Sequence, residues 1–195
     1  MIIRPLTANK ELALSNLTIN GRPVGLFEPE QSFDSVTIGT QTWMAENLTI
    51  DDGNGGIYTQ TVNYGQGNVV EYYYTWEAAK RIADTIDGWH LPSSTEWRTL
   101  GNYIGSNAGT KLKSTYGWRN NGNGTDDYGF SGFPAGRYNI SGVYSEFSSR
   151  GRFHTSTEVS GGKFYIYVLY YWASTLTYVS SDTSYCYSVR LVKDT

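Results

Sequence analysis

The clearest pattern of apolar and polar positions runs over residues 88–104. Pro92 disfavours a helical conformation in the residue before it, so residues 89–91 are predicted to be extended. Ser93 and Glu96 have the spacing of a capping box, which predicts a helix that begins at Ser93. An apolar stripe at helical spacing follows, at Trp97, Leu100 and Ile104. We therefore expect this extended segment and its helix to form the central joint of the core.

A second helix is predicted before this joint. Thr75 suits the N-cap position, and Asp87-Gly88 is expected to end the helix. Its buried face is predicted to consist of Ala79, Ile82, Ala83 and Ile86. A short helical turn is expected over residues 108–114.

Strands are predicted on both sides of the two helices. Before them, Ser35–Ile38 and Gln41–Met44 read as a hairpin around Gly39-Thr40, and Ile57–Asn63 alternates like a strand. After them, short strands are predicted at residues 130–137, 143–147, 153–158, 163–172, 175–179 and 184–192. This order predicts the α+β class, with two helices flanked by short antiparallel strands and the last strand paired with the N-terminal strand of the module.

Residues 1–33 differ from the rest and are interpreted as a β-rich N-terminal arm, with residues 34–195 as the main domain. A strand over residues 12–19, a turn at Asn20-Gly21 and a return over residues 24–27 are predicted, with residues 28–30 as a linker. The arm is expected to dock a partner or a second copy of the chain, which would give a homo-oligomer. No signal peptide or membrane span is evident, so either the general export route is not used or a leader has been lost.

Composition favours a contact surface over a nucleic-acid-binding one. The net charge of the 195 residues is −3, which provides no basic footprint for nucleic acid. Charged residues make up only 17%, whereas aromatics reach 15%, with 17 Tyr beside 22 Gly. Tyr offers a large contact area at low entropy cost, and this mixture is typical of paratopes. An ordinary β-rich domain with Tyr on its strands is the alternative.

Five segments, in order, resemble the Fibrobacter succinogenes major paralogous domain family. They read Val-Thr-Ile-Gly-Thr-Gln-Thr-Trp-Met-Ala-Glu-Asn-Leu at 36–48, Tyr-Thr-Trp-Glu-Ala-Ala at 74–79, Gly-Trp-His-Leu-Pro-Ser at 88–93, Thr-Asp-Asp-Tyr-Gly-Phe-Ser at 125–131 and Ser-Val-Arg-Leu-Val-Lys-Asp at 188–194. The resemblance runs from about residue 34 to the end of the chain. The family is similar to formylglycine-generating enzymes, whose Arg-Leu-Pro-Thr-x-x-Glu-Trp segment is echoed by residues 91–97.

The resemblance implies a C-type lectin-like fold. That fold also serves the variable proteins of diversity-generating retroelements, which carry hypervariable ligand-contacting residues on a C-terminal segment. Two departures from the family pattern fall in this part of the chain: His154 stands where members typically have Trp, and Cys186 where they usually have Gly. Both substitutions are odd in a core but natural at positions that are free to vary. The resemblance therefore yields the hypothesis that both belong to a variable face.

The predicted binding face lies at about residues 137–185. Alternation from Lys163 places Tyr165 and Tyr167 on one side of a strand, and Phe164, Ile166 and Val168 on the other. Three adjacent aromatics at 170–172 cannot all point inward, so at least one is expected to be exposed. The predicted ligand-contacting residues, rich in hot-spot types, are Tyr138, Arg150, Arg152, Phe153, His154, Tyr165, Tyr167, Tyr170, Trp172, Thr175, Thr177 and Tyr178. Tyr187, Val189 and Leu191 are assigned to the core instead.

No enzymatic activity, cofactor or metal is predicted. Cys186, the only cysteine, falls in the last predicted strand, and His90 and His154 lack a third ligand. No Gly-x-Ser-x-Gly motif is present. Candidate acids by residue type alone are Glu46, Asp126, Asp127, Glu146 and Glu158. The triplets with which C-type lectins bind sugars through calcium are also missing.

The sequence therefore favours a non-enzymatic ligand-binding module, an adhesin or receptor-binding protein that displays a Tyr-rich variable face. The expected ligand is a protein or glycan on a cell surface. The expected location is a virion, such as a phage tail, or the extracellular cell surface. Two alternatives stay open. One is a structural module whose aromatic face packs on another subunit, and the other is a divergent enzyme of the formylglycine-generating type.

Overall fold

The computed structural model describes residues 32–194 and, before them, the backbone of two short strands. The chain separates into two units, Met1–Ser32 and Phe33–Thr195. In the first unit, β1 (Thr18–Ile19) and β2 (Arg22–Pro23) pair antiparallel, with Ile19 opposite Arg22. The rest of the predicted arm, including its return strand at 24–27 and its linker at 28–30, lies outside the described residues.

In the second unit, a four-stranded sheet brings strands from the start and the end of the unit together. It contains β3 (Ser35–Ile38), β4 (Gln41–Met44), β7 (Trp89–His90) and β14 (Val192–Lys193), in the order β3-β4-β14-β7. Val192 pairs with Trp43 on one side and with His90 on the other. The predicted hairpin is confirmed. The last strand was expected to pair with the N-terminal strand of the module, but it pairs instead with β4, the second strand of that hairpin, and with β7.

Three helices lie between the strands: α1 (Trp76–Ala83), α2 (Ser94–Ile104) and α3 (Ala108–Leu112). The capping box of α2 is formed as predicted, and Gly105 caps its C-terminus with a φ of 76°. Thr75 caps α1 by accepting a hydrogen bond from the Ala78 amide. That helix ends four residues earlier than predicted, because the Thr85 and Ile86 amides form tighter, three-residue turns to Ile82 and Ala83.

The remaining strands form three small antiparallel sheets. A hairpin joins β5 (Ile57–Asn63) to β6 (Asn68–Tyr74). A second sheet, in the order β13-β8-β9, contains β8 (Arg137–Asn139), β9 (Val143–Ser145) and β13 (Tyr185–Cys186). The third, here called the C-terminal sheet, contains β10 (Arg150–Val159), β11 (Lys163–Tyr170) and β12 (Thr177–Ser181) in that order. The described part of the chain is thus a mixed, strand-rich fold.

Two predicted strands are not formed as predicted. Residues 130–136 are irregular, since Pro134 lacks an amide hydrogen and Gly132 packs too closely on Leu169 for any Cβ. The predicted strand at 184–192 is split into β13 and β14. Between them, successive residues form hydrogen bonds to different segments. The Tyr187 amide donates to the Tyr74 carbonyl, and the Ser188 carbonyl accepts from the His154 amide. The Val189 carbonyl accepts from the Leu48 amide, and the Leu191 carbonyl accepts from the Met44 amide.

The core centres on the joint predicted from the sequence. Trp97 of α2 is fully buried, with its ring 4.7 Å from that of Trp43. Beside them, the buried Arg190 guanidinium donates to the Met44 and Ser131 carbonyls, both at 3.0 Å. Burial lowers the pKa of Arg190 to about 10, so it stays charged at neutral pH. One cation thereby ties the last segment of the chain to two earlier ones.

Candidate functional site

A groove of about 460 Å³ lies between α2 and the C-terminal sheet. Tyr167 and Tyr178 are register partners on β11 and β12, so both side chains face α2 from the sheet. Tyr165 lies two residues along β11 and therefore shares that face. The alternation predicted for this strand is confirmed, because Phe164, Ile166 and Val168 are buried together on its other side.

The floor of the groove is held by the core. The Tyr167 ring stacks on Trp97 at 5.2 Å with 12° between the planes. Its hydroxyl donates to the Ser94 carbonyl at 2.9 Å, in the first turn of α2. Burial raises the pKa of Tyr167, which keeps this hydroxyl protonated. The Tyr167 side chain is thus fixed by these contacts and forms the floor of the groove.

Two further tyrosines form the rim on the sheet side. Tyr178 is 58% exposed, whereas Tyr165 is half-buried, and their rings stand perpendicular at 5.5 Å. The α2 wall opposite carries Arg98 and Asn102, separated by Gly101, which has no side chain to fill the groove. A ligand in this groove would meet aromatic faces on one side and hydrogen-bonding groups on the other.

The α2 wall was not predicted from the sequence. Its residues recur at positions i, i+3, i+4 and i+7 of the helix, namely Arg98, Gly101, Asn102 and Gly105. That spacing defines one helical face. Nothing in this spacing shows that a sheet from the far end of the chain covers the face, so the sequence alone predicts an ordinary solvated face.

A second group of predicted residues lies on the opposite face of the C-terminal sheet. Tyr170 follows Val168 on β11, and its ring lies 4.5 Å from that of Trp172, which is 57% exposed. The Arg150 guanidinium lies 5.4 Å from both rings. Thr177 pairs with Val168 and so shares this face. The expectation that one ring of the 170–172 run is exposed is confirmed by Trp172.

Burial corrects the assignment of two predicted ligand-contacting residues. Phe153 is fully buried, with its ring 5.4 Å from Trp97. His154 is fully buried, and its Nε2 donates to the Tyr74 carbonyl at 2.7 Å. Burial lowers its pKa to about 4, so the ring is neutral at pH 7. Cys186 is also fully buried. The two departures from the family pattern therefore lie in the core, not on a displayed face.

Three other predicted residues occupy varied positions. Arg152 has a side chain that is only 9% exposed, and its Nε donates to Glu146 at 2.6 Å. Tyr138 belongs to a different sheet and stacks on Tyr58 at 4.8 Å. Thr175 is exposed and lines the groove. The groove thus unites Tyr165, Tyr167, Thr175 and Tyr178 of the predicted set.

In the described part of the chain, the groove lining contains no His, Cys, Asp, Glu or Lys side chain. Burial raises the pKa of the Cys186 thiol to about 12, which keeps it protonated and poorly nucleophilic. Among residues 32–194, no three His, Cys, Asp or Glu side chains are grouped so as to hold a metal ion.

Residues 36–193 match the family model of the Fibrobacter succinogenes major domain. The match includes the α2 wall and both tyrosines of the groove rim. Comparison with curated proteins gave no match, and neither did comparison with solved structures. Within the described residues, no helix has the length and apolar character needed to cross a bilayer.

Proposed function

The chain belongs to the Fibrobacter succinogenes major domain family, and from that premise we propose that residues 33–195 form a non-enzymatic module that binds a ligand through the groove between α2 and the C-terminal sheet. The observation that carries the proposal is the tyrosine rim of the groove, formed by Tyr165 and Tyr178. Tyr178 is largely exposed, yet its ring packs against Tyr165 and against Tyr167, and the core holds Tyr167 in place. A rigid, exposed aromatic ring over a groove is typical of a contact residue.

The groove lining favours an oligosaccharide as the ligand. Tyr rings offer apolar faces on which the C–H side of a sugar ring can stack, and Asn102 and Asn107 offer amides for its hydroxyls. Arg98 is the only charged side chain of the lining in the described residues. We place the module on a virion or cell surface, where such a ligand is accessible, as an adhesin or receptor-binding protein.

The family resemblance supports two finer proposals. The scaffold is of the C-type lectin-like kind, and its displayed positions are diversified by a retroelement. Positions that vary would then be those whose side chains leave the core intact, such as Tyr165, Thr175 and Tyr178. A reverse-transcriptase gene beside the coding sequence, with a template repeat that matches these codons, would support diversification. A repeat that spans the codons of the buried His154 and Cys186 but not those of the rim would contradict it.

A structural role is the second candidate function. It is favoured by the exposed Trp172, which lies with Tyr170 on the sheet face opposite the groove. If this face packs on another subunit, Trp172→Ser should lower the molar mass measured by light scattering at high protein concentration. If the parent and Trp172→Ser both have the molar mass of a monomer, this second candidate function loses its support.

The proposed function is tested with a fluorescently labelled protein on a glycan microarray, followed by titration calorimetry with the strongest glycan. Tyr178→Ala is expected to weaken binding about tenfold or more, as truncation of an aromatic hot spot does. Tyr103→Ala is the matched control: Tyr103 is 61% exposed on α2 but packs beside Gly39, away from the groove. Both variants should keep the melting temperature of the parent.

Two results would contradict the proposal. One is the absence of any glycan above background, and the other is equal binding by the parent and Tyr178→Ala. Binding of a surface protein instead of a glycan, with the same loss in Tyr178→Ala, would retain the groove but replace the ligand class.

A further inference from the structure

A second cleft, of about 160 Å³, opens beside the face of the C-terminal sheet opposite the groove. Arg152 pairs with Val168 and therefore points to that side of the sheet. Arg137 from β8 and Lys163 from the start of β11 also line the cleft. Tyr185 and Tyr187 complete its walls. We call this site the basic cleft.

Arg152 is the central residue of the basic cleft. Its side chain is more than nine-tenths buried, and its Nε donates to Glu146. Its two terminal nitrogens form no hydrogen bond with any described residue, and Arg152 is one of the residues that line the cleft. A guanidinium has five donors in a planar fork, so Arg152 retains most of its hydrogen-bonding capacity. These donors are therefore available to a ligand in the cleft.

The cations around the cleft outnumber the carboxylates. The Glu146 carboxylate accepts hydrogen bonds from Arg150 and Arg152, and its Oε2 lies 3.5 Å from the Arg137 Nε. One negative charge thus serves three guanidiniums, and Lys163 adds a fourth cation. Asp182 is the single acid of the described lining, and its Oδ1 already accepts from the Ser184 amide. The cleft therefore carries an excess of positive charge.

The aromatic walls hold two of these cations in place. The Arg137 guanidinium lies 4.1 Å from the Tyr185 ring, and that of Arg152 lies 5.7 Å from the Tyr187 ring. The Tyr187 hydroxyl is in turn hydrogen-bonded to Ser181 Oγ at 2.7 Å. Guanidiniums fixed in this way lose little entropy when they bind an anion.

We propose that the basic cleft binds the oxyanion group of a ligand: a carboxylate, a phosphate or a sulfate. The planar fork of Arg152 matches such a group, and Lys163 at the mouth supplies a further charge. A volume of about 160 Å³ accommodates one acidic group or one acidic sugar ring, not a length of polymer. The site lies on the other face of the sheet from the groove, so it stands independently of the function proposed for that groove.

The proposal is tested by titration calorimetry of the full chain with three probes: inorganic phosphate, inorganic sulfate and glucuronate. The three probes are compared at one ionic strength, which is set with sodium chloride, and each titration is then repeated at higher sodium chloride. Saturable binding that weakens as sodium chloride is added is expected for at least one probe. Binding of glucuronate in preference to the inorganic ions would identify an acidic sugar as the source of the group. The reverse preference would identify a phosphorylated or sulfated ligand.

Matched variants locate the binding. Lys163→Glu reverses an exposed charge at the mouth and is expected to weaken binding about tenfold or more. Lys193→Glu reverses an exposed charge on β14, outside the lining, and should bind like the parent. Arg152→Met should abolish binding, with circular dichroism to show that it folds; if it does not fold, the two lysine variants decide.

The groove variant separates this proposal from the proposed function, because Tyr178→Ala should leave anion binding unchanged. No saturable heat with any of the three probes would overturn the proposal. So would equal binding by Lys163→Glu and the parent, or equal weakening in both lysine variants, which would indicate a general effect of net charge.

Discussion

His90 connects the end of the chain to the start of α2. Its Nδ1 lies 2.5 Å from an oxygen of Asp194, and its Nε2 lies 2.7 Å from an oxygen of Glu96. Partial burial alone would lower the pKa of His90. The hydrogen bonds and charges of the two carboxylates outweigh burial, however, and raise the pKa above its ordinary value of 6.5. The protonated ring, which donates to both partners, is therefore favoured in the folded state.

This arrangement predicts a pH dependence of stability. A group whose pKa is raised on folding contributes stability below its unfolded pKa and loses it as the pH rises through its folded pKa. The melting temperature should therefore fall as the pH rises above 6.5. His90→Gln should flatten that decline, by a modest amount because the ring is 41% exposed and its charge is screened. Calorimetric melts between about pH 6.5 and pH 9 measure the effect.

The pH window is chosen because His154 acts in the opposite sense below it. Its pKa is lowered on folding to about 4, so its contribution is present above 6.5 and lost as the pH falls. Parallel curves for the parent and His90→Gln above pH 6.5 would contradict the assignment.

Single residues differ in how far the sequence predicts them. The Ser93–Glu96 capping box involves neighbours in the chain, so the spacing of these two residues was sufficient to predict it. His154 was assigned to the surface, because its burial depends on Tyr74 and Phe164, which reach it only through tertiary packing. Arg190 is similar, since its carbonyl partners lie about sixty and more than a hundred residues away.

At the scale of elements, two helical glycines that look alike in sequence are predicted to respond oppositely to alanine. In α3, a Cβ on Gly109 would lie 2.4 Å from the Thr175 carbonyl oxygen, which belongs to the backbone beside the groove. In α2, a Cβ on Gly101 would lie 3.5 Å from Leu176, an ordinary contact. Gly109→Ala should therefore destabilise the protein by about 2 kcal/mol through overpacking. Gly101→Ala should stabilise it by about 0.5–1 kcal/mol through helix propensity.

Urea unfolding, followed by circular dichroism, gives both free energies of unfolding. A stabilising Gly109→Ala would show that the contact between α3 and the segment at Thr175 is looser than described.

Elements defined by local signals were predicted well, and those defined by distant pairing were not. The hairpin at Gly39-Thr40 and the helix at Ser93 each carry their turn or cap within a few residues. The segments predicted as strands at 130–137 and 184–192 contain several apolar residues, but their hydrogen-bond partners lie in several separate segments. Apolar pattern alone cannot distinguish such a segment from a strand in one ladder.

At the scale of the whole molecule, residues 33–195 are predicted to fold without the preceding segment. The described core clusters and the four-stranded sheet are built from this unit. The truncated chain should melt cooperatively within a few degrees of the full chain. If residues 1–32 mediate self-association, size-exclusion chromatography with light scattering should show an oligomer for the full chain and a monomer for the truncated one. A truncated chain that melts without cooperativity would contradict the prediction.

The residue types of the candidate site were predicted from the sequence, but not how these residues are divided between the two faces of the C-terminal sheet. Alternation placed Tyr165 and Tyr167 on one side of their strand, which is confirmed. The sequence could not show that α2 covers this side, nor that Arg150, Arg152 and Trp172 belong to the other. That division depends on how β10 pairs with β11, and the register shifts between His154 and Glu158.

The neighbouring strands β3 and β14 have a consequence for engineering. Val36 and Val192 both pair with Trp43, one on each side, so these two residues lie roughly 10 Å apart, two strand spacings. Since both strands are antiparallel to β4, they run parallel, and the chain leaves them at opposite ends of the sheet. A host protein could therefore receive the whole unit as an insert in a single surface loop only through a linker of several residues at each end. The groove and its tyrosine rim would be carried into the host with the unit.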